Sequence, residues 1–412
     1  MEKILHLIET LESQAVELET SLCAIPAISP DSGGEGELDK CSFLENWLRD
    51  SGFTDVKRYD APDERAKGKV RPNLIATIEG ADPGKCFWIM SHMDVVPPGE
   101  ISLWKNDPWK AVVSQINGKK CITGRGVEDN QQGLVSSVLA ALALIREEIK
   151  PSRTVKLLFV SDEENGSLFG MGWLMKAHPE LFHSDDIALV PDSGDEQGAS
   201  VEVAEKNLVW ARFVTSGKQS HGSRPDQGIN AHLAGADLAV RLHYGLMEKF
   251  SDHDPLFDPD YSTFEPTKKE ANVPNINTIP GEDALCFDMR ILPRYPISAV
   301  LKETDRIIRE IQDKHGVKIV YTLSQSMESK PTSVDSPLVK CLAKNIEAVY
   351  GVKAKPIGIG GGTVAAFMRN SGMDAVVWCR INESAHQPNE YTLVEHILGD
   401  AKIMALLMLE KI

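Results

Sequence analysis

TVKLLFVSDEENGS, residues 154–167, opens as an apolar run and closes on three acids in succession, Asp162, Glu163 and Glu164. The run has the β-branched and aromatic content of a buried strand. Adjacent negative charges at the end of a core element repel one another, so their placement there implies a compensating partner, and a bound cation fills that role. Three further runs share the form, apolar and then polar or acidic: PNLIATIEG (72–80), CFWIMSHMD (86–94) and DIALVPDSG (186–194). Helical patterns, GLVSSVLAALALIREEI (133–149) and GMGWLMKAHPEL (170–181), alternate with them. The alternation predicts an α/β fold, a mostly parallel sheet with helices on both faces. In such sheets ligands gather beyond the carboxyl ends of the strands, where His92, Asp94, Glu163, Glu164 and Asp192 fall.

From Asn207 the texture changes. NLVWARFVTSG reads as a strand, INAHLAGADLAVRLHYGLMEKF as a helix, NTIPGEDALCFDMRIL as two strands around a turn at Gly281, ISAVLKETDRIIREIQDKHG as a helix and VKIVYTLS as a last strand. The order β-α-β-β-α-β is that of a small ferredoxin-like unit. The expected organisation is therefore a catalytic domain of residues 1–206 and 325–412 with an inserted domain of residues 207–324. After the linker QSMESKPTSVDSP, the segments LVKCLAKNIEAVYG, KPIGIGGGT and DAVVWC return to the α/β style and are expected to complete the first sheet.

Composition narrows the function classes. A chain of 412 residues, 42% hydrophobic and 25% charged, is globular and long enough for two domains. Its formal charge of -16 disfavours nucleic acid and anionic membrane as partners. The seven cysteines are widely spaced with no Cys-x-x-Cys pair, as in a reducing cytoplasm. The opening MEKILHLIETLESQAVELET mixes acids with Ile and Leu at helical spacing, unlike a secretion signal, and VLAALALI is too short for a membrane helix. A cytoplasmic, soluble protein is the expectation.

Several residues then suit a metal centre. His92 and Asp94 flank Met93 at a strand end, share a face, and allow the carboxylate to reach the second imidazole nitrogen. Alone, such a pair also forms an ordinary hydrogen bond at a strand terminus. Asp129 lies in GRGVEDNQQG just before a helix; a carboxylate there can bridge two cations or simply cap the helix. Glu163 and Glu164 are neighbours in an extended segment and point different ways, so one suits a ligand and the other a general base facing substrate. Asp192 in VPDSG serves as a ligand or a turn former, and His386 in ESAHQPNEY as a ligand or a solvated loop histidine. Together His92, Asp129, Glu164, Asp192 and His386 make a mixed N/O set with a bridging acid, as expected for a pair of catalytic zinc ions.

The ordered series SHMDVVPPGE, DPW, GRGVEDNQQG, SDEENGS, PDSG, SHGSRPDQGINA, NTIPGEDALCFDMR, IGGGTVAAF and AHQPNEY resembles the M20 family of metallopeptidases and amidohydrolases. That group includes succinyl-diaminopimelate desuccinylase, acetylornithine deacetylase, aminoacylase-1 and the PepV-type dipeptidases. The resemblance implies that His92, Asp129 and Asp192 hold one zinc and Asp129, Glu164 and His386 the other, with Co2+ or Mn2+ as possible substitutes. It implies Glu163 as general base and Asp94 as the partner that orients His92. It also implies a homodimer through the inserted domain, in which His221 reaches the partner's active site and stabilises the oxyanion. Asn277 and Arg290 match positions that meet substrate, and Gly361, Gly362 and Thr363 offer backbone N–H groups to a substrate carboxylate. The chain departs from many relatives at Asn130, Gln131 and Gln132, after the bridging acid, and at Val364, which bears on substrate preference.

The activity so implied is hydrolysis of an amide bond in a small N-acyl amino acid, of deacetylase or desuccinylase type. A dipeptidase or carboxypeptidase of the same family is the alternative reading. A non-catalytic binding protein on this fold is a remote one, since such proteins usually lose the base or a ligand and this chain retains both.

Overall fold

The computed structural model describes residues 2–412, which form two compact units. One comprises the chain up to Val203 with Thr332–Pro356 and Phe367–Ile412; the other is Ala204–Pro331 with Ile357–Ala366.

The eight strands of the large sheet lie in the order Asp55–Pro62, Val70–Ile78, Arg153–Val160, Asp82–His92, Ile187–Asp195, Asp374–Arg380, Ser200–Glu205, Lys355–Ile359. From Arg153–Val160 to Asp374–Arg380 the neighbours are parallel. Val70–Ile78 runs antiparallel to both of its neighbours, Asp55–Pro62 and Arg153–Val160, and Ser200–Glu205 runs against Asp374–Arg380. Parallel neighbours need a long crossover, and the links 63–69 and 196–199 are too short for one, so the chain doubles back there. The fold is thus mixed α/β with a parallel-rich centre.

Residues Cys86–His92 are all buried in succession. Successive strand residues point to opposite faces, so unbroken burial means that both faces are covered. Against this strand lies the helix Gln131–Arg146, whose residues from Gln131 to Leu144 are all buried. Its Ala- and Leu-rich sequence suits a helix enclosed by other elements, among them the C-terminal helix Val394–Leu409. Among the described residues no helix is long and apolar enough to cross a membrane, and all seven cysteines are free thiols.

The second unit has a four-stranded antiparallel sheet in the order Thr263–Lys269, Glu282–Ile291, Asn207–Ser216, Lys318–Met327. The helices Ala231–Lys249 and Ile297–His315 supply Leu238, Leu242, Leu246, Ile307 and Ile311 to its core, against Val209, Phe213, Phe287 and Met289. One strand differs from the expectation. The segment before Gly281 yields only the two-residue strand Thr278–Ile279, which pairs with Ser220–His221. The sheet's edge is instead Thr263–Lys269, whose Glu, Pro, Thr and Lys side chains are largely exposed and carry no apolar alternation. A polar, Pro-bearing strand of this kind is tolerated at an edge because its outer side needs no partner.

Candidate metal centre

Strand register brings the first residues together. Ile89 stands opposite Leu189 in the parallel pair, and three residues further along the two strands the side chains of His92 and Asp192 meet. On the other side His92 pairs with Val160, so the chain leaving that strand delivers the glutamates beside the same ring. Asp162 adopts a left-handed φ of 65° before the short turn Glu163–Asn165. Its carboxylate accepts from Arg71 Nη2 (3.2 Å) and the Phe169 N–H (3.1 Å), contacts that offset the cost of a positive φ at a non-glycine residue.

His92 Nε2 lies 2.9 Å from Asp129 Oδ1 and 3.4 Å from Asp192 Oδ1. His386 Nε2 lies 3.0 Å from Asp129 Oδ2 and 3.2 Å from Glu164 Oε2. The candidate ligand atoms thus fall into two triads, His92–Asp129–Asp192 and Asp129–Glu164–His386, each with its atoms within 4.8 Å of one another. Asp129 faces one triad with each carboxylate oxygen.

The donor chemistry fits a pair of cations. His92 Nδ1 lies 2.9 Å from the Asp94 carbonyl oxygen, which can only accept, so Nδ1 carries a hydrogen. Nε2 then turns a lone pair towards two carboxylates unless a proton or a metal ion stands between them. Burial opposes charge on His92, yet Asp192 and Asp129 outweigh it and hold its pKa well above the usual histidine value. Hydrogen bonds to Asp129 and Glu164 push His386 up to about 10. Burial also opposes charge on Asp129, but His386 and His92 hold its carboxyl well below the usual range. Burial raises Glu163 far above the usual carboxyl value, with Asp192 adding to the effect, and raises Glu164 against the opposing bond from His386. The raised values of His92, His386, Glu163 and Glu164 favour added positive charge, while Asp129 is held in its anionic form between the two histidines.

Glu163 and Glu164 differ in what their side chains touch. Glu164 meets His386, whereas the Glu163 carboxylate makes no hydrogen bond among the described residues. Asp94 holds the pair from behind. Its two oxygens accept the backbone N–H groups of Glu163 (3.1 Å) and Glu164 (3.1 Å), while His92 Nδ1 stands 3.6 Å from the carboxylate and donates to the Asp94 backbone carbonyl instead. The expected orienting of His92 therefore comes from the main chain of Asp94, and its side chain organises the glutamates.

Other contacts were not legible in the sequence. Asn130 donates through Nδ2 to the Pro191 carbonyl (2.6 Å) and Asp192 Oδ1 (2.8 Å), and its Oδ1 accepts the His92 N–H (3.3 Å). Glu128 and Glu390, both buried, bind the loops of His386 and Asp129 respectively. Their nearness in sequence to Asp129 and His386 is the only signal that marks them.

The remaining predicted residues lie in the second unit. His221 is exposed, and its Nδ1 accepts the Ser223 N–H (3.1 Å), which leaves Nε2 to carry the hydrogen. Asn277 is exposed beside it, its carbonyl accepting the Gly222 N–H (2.6 Å). Arg290 is engaged by Asp288 and by the Gly360 carbonyl (2.6 Å). Thr363 departs from its expected role: its N–H (3.0 Å) and hydroxyl (2.6 Å) both donate to the buried Glu205, so they are not free for a substrate carboxylate. Gly361 and Gly362 share the same loop.

A parallel-rich α/β sheet with histidines and carboxylates paired at its strand ends defines a metal-dependent hydrolase. The sequence profile of Peptidase family M20/M25/M40 matches residues 88–410, and the chain belongs to that family. It is 39% identical to an uncharacterized metallohydrolase of Methanocaldococcus jannaschii, over 95% of this chain and 98% of that one. A succinyl-diaminopimelate desuccinylase of Cereibacter sphaeroides is 27% identical, over 93% of this chain and 94% of its own length. Among solved structures, the aminopeptidase PepT of Bacillus cereus has the same fold, with a TM-score of 0.77 and 19% identity, covering 96% of this chain and 98% of that one.

Proposed function

We propose that the chain hydrolyses the amide bond of a small N-acyl amino acid, of the deacetylase or desuccinylase type, with two metal ions per subunit. The observation that carries this reading is the pair of triads sharing Asp129 beside a glutamate with a free carboxylate. His92, Asp129 and Asp192 would hold one ion and Asp129, Glu164 and His386 the other. Zinc suits this N/O set, and Co2+ or Mn2+ could replace it. When bound, such ions supply Lewis acidity, which lowers the pKa of water and polarises a carbonyl.

Glu163 takes the proton of the attacking water and returns it to the leaving amine. Burial raises its pKa, with Asp192 adding to the effect, and a raised pKa makes it a stronger base. Asp94 fixes the direction of Glu163 through the backbone. His221, with its hydrogen on Nε2, donates to the developing oxyanion, acting from the partner subunit of a homodimer built through the second unit. Asn277, Arg290 and the Gly361–Gly362 backbone meet the substrate carboxylate, and Thr363 supports that loop through Glu205.

The desuccinylase relative supports an N-acyl substrate. Action on a dipeptide is the second reading, favoured by the GIGGGT segment, residues 358–363, of PepV-like form. The deciding measurement is amine release from metal-loaded protein with N-succinyl-diaminopimelate, N-acetylornithine, other N-acetyl amino acids and simple dipeptides. Turnover of an N-acyl compound above the dipeptides supports the proposal, the reverse order selects the peptidase, and no turnover of any of them with both ions bound sinks both.

A further inference from the structure

Two of the first triad's three ligands rest on regular structure, whereas Asp129, shared by both triads, and His386 come from loops. His92 ends a strand and Asp192 lies within one, with Asn130 bonded to both. Asp129 and His386 come instead from irregular segments, and His386 has a left-handed φ of 64°, with Glu383 and Asn389 also at positive φ on either side. Such a loop keeps one conformation only if its surroundings impose it.

Two carboxylates exchanged between the segments do so. Glu390, four residues beyond His386 and 0% exposed, reaches the Asp129 segment. Its Oε1 accepts the N–H groups of Glu128 (2.9 Å) and Asp129 (3.1 Å), and its Oε2 accepts the Gly126 N–H (3.1 Å) and Arg125 Nη1. Glu128, next to Asp129 and 4% exposed, reaches the opposite way. It accepts the N–H groups of Asn382 and Ser384 and the Ser384 hydroxyl (2.7 Å). Each segment thus lends an acid that clamps the other's backbone. Buried anions fully supplied with donors are directional, so this exchange sets the spacing between Asp129 and His386.

Resting on the two-ion reading above, we infer that Glu128 and Glu390 are positioning residues that set the Asp129–His386 spacing, and so act more strongly on the Asp129–Glu164–His386 ion than on the His92–Asp129–Asp192 ion, which shares only Asp129 with it. The test is titration of the metal-free chain with Co2+, followed by calorimetry, visible absorption and counting of bound ions, for wild type, Glu128→Gln and Glu390→Gln. In each variant an amide NH2 replaces an acceptor oxygen facing backbone N–H groups. One ion is expected to bind about 10–100-fold more weakly, the usual consequence of losing a group that supports a ligand, and the other to lose clearly less. Ser384→Ala removes a single hydroxyl and serves if the glutamine variants do not fold; it is expected to weaken the same ion by a smaller factor. Two ions bound with unchanged affinity in the folded variants, or both weakened equally, would overturn the inference. Fewer than two ions in the wild type would instead overturn the two-ion reading itself.

Discussion

At the scale of single residues, Asp94 divides the work of the glutamate pair. By accepting both backbone N–H groups it holds two adjacent glutamates in different settings, Glu164 against His386 and Glu163 with no hydrogen bond to its carboxylate among the described residues. Removing one should therefore leave the other's role intact. Glu163→Gln is expected to lower kcat by roughly 10²–10⁴-fold, the usual contribution of a positioned base, with metal content unchanged. His386→Ala should do the opposite and lower the number of bound ions, read by elemental analysis. Full turnover in Glu163→Gln would remove it from the mechanism.

At the scale of elements, the helix Gln131–Arg146 approaches the Asp192 strand through Gly133. A Cβ at that glycine would stand 2.2 Å from the Pro191 carbonyl oxygen, a backbone atom that cannot swing aside. Alanine would ordinarily favour a helix by about 1 kcal/mol over glycine. Here the collision wins, and Gly133→Ala is expected to cost about 1–3 kcal/mol in denaturant unfolding and to weaken metal binding through Asp192. A stabilised variant would show that the helix can shift freely. The same elements mark what a sequence can reveal. The runs that became Arg153–Val160 and Ile187–Asp195 were legible because strands buried on both faces must be apolar throughout, and their acidic ends stood out against that. The edge strands Asp55–Pro62 and Thr263–Lys269 were not, because an exposed edge imposes no apolar pattern. The site was read from residues whose chemistry is unusual for their position, such as Glu163 and Glu164. Glu128, Glu390 and Glu205 escaped because their partners are backbone N–H groups distant in sequence, and nothing local records that pairing.

At the scale of the whole molecule, stability should depend on pH through Asp400. Burial raises its carboxyl to about 7, although Tyr350, the Arg380 N–H and Gln132 all donate to it. In the unfolded chain an aspartate ionises near its ordinary value of 3.8, so between there and about 7 unfolding releases a proton. The contribution is full below that window, is lost as pH rises through it, and amounts to about 4 kcal/mol at most. An amide repeats the bonds of the protonated acid, its oxygen accepting from Arg380 and Gln132 and its NH2 donating to the Tyr350 hydroxyl. Asp400→Asn is therefore expected to raise the Tm at pH 8 and flatten its decline from pH 5 to 8; an unchanged slope would place the proton elsewhere. The proposed dimer has its own test. Glu163→Gln and His221→Ala, each inactive alone, should regain roughly a quarter of wild-type activity when mixed and allowed to exchange, since random hybrids carry one intact site. No recovery despite exchange would confine His221 to its own subunit.

The strand Asp374–Arg380 lies against Ile187–Asp195 in the parallel heart of the large sheet. A ribosome adds about 5–20 residues each second, so the earlier strand waits on the order of ten seconds or more for its neighbour. Throughout that interval the nascent polypeptide presents an unpaired edge at the place where its core will later close, which is a template for association with other chains. Productive folding of this protein is thereby tied to the arrival of that later strand, and its yield to whatever shields the half-built sheet until then.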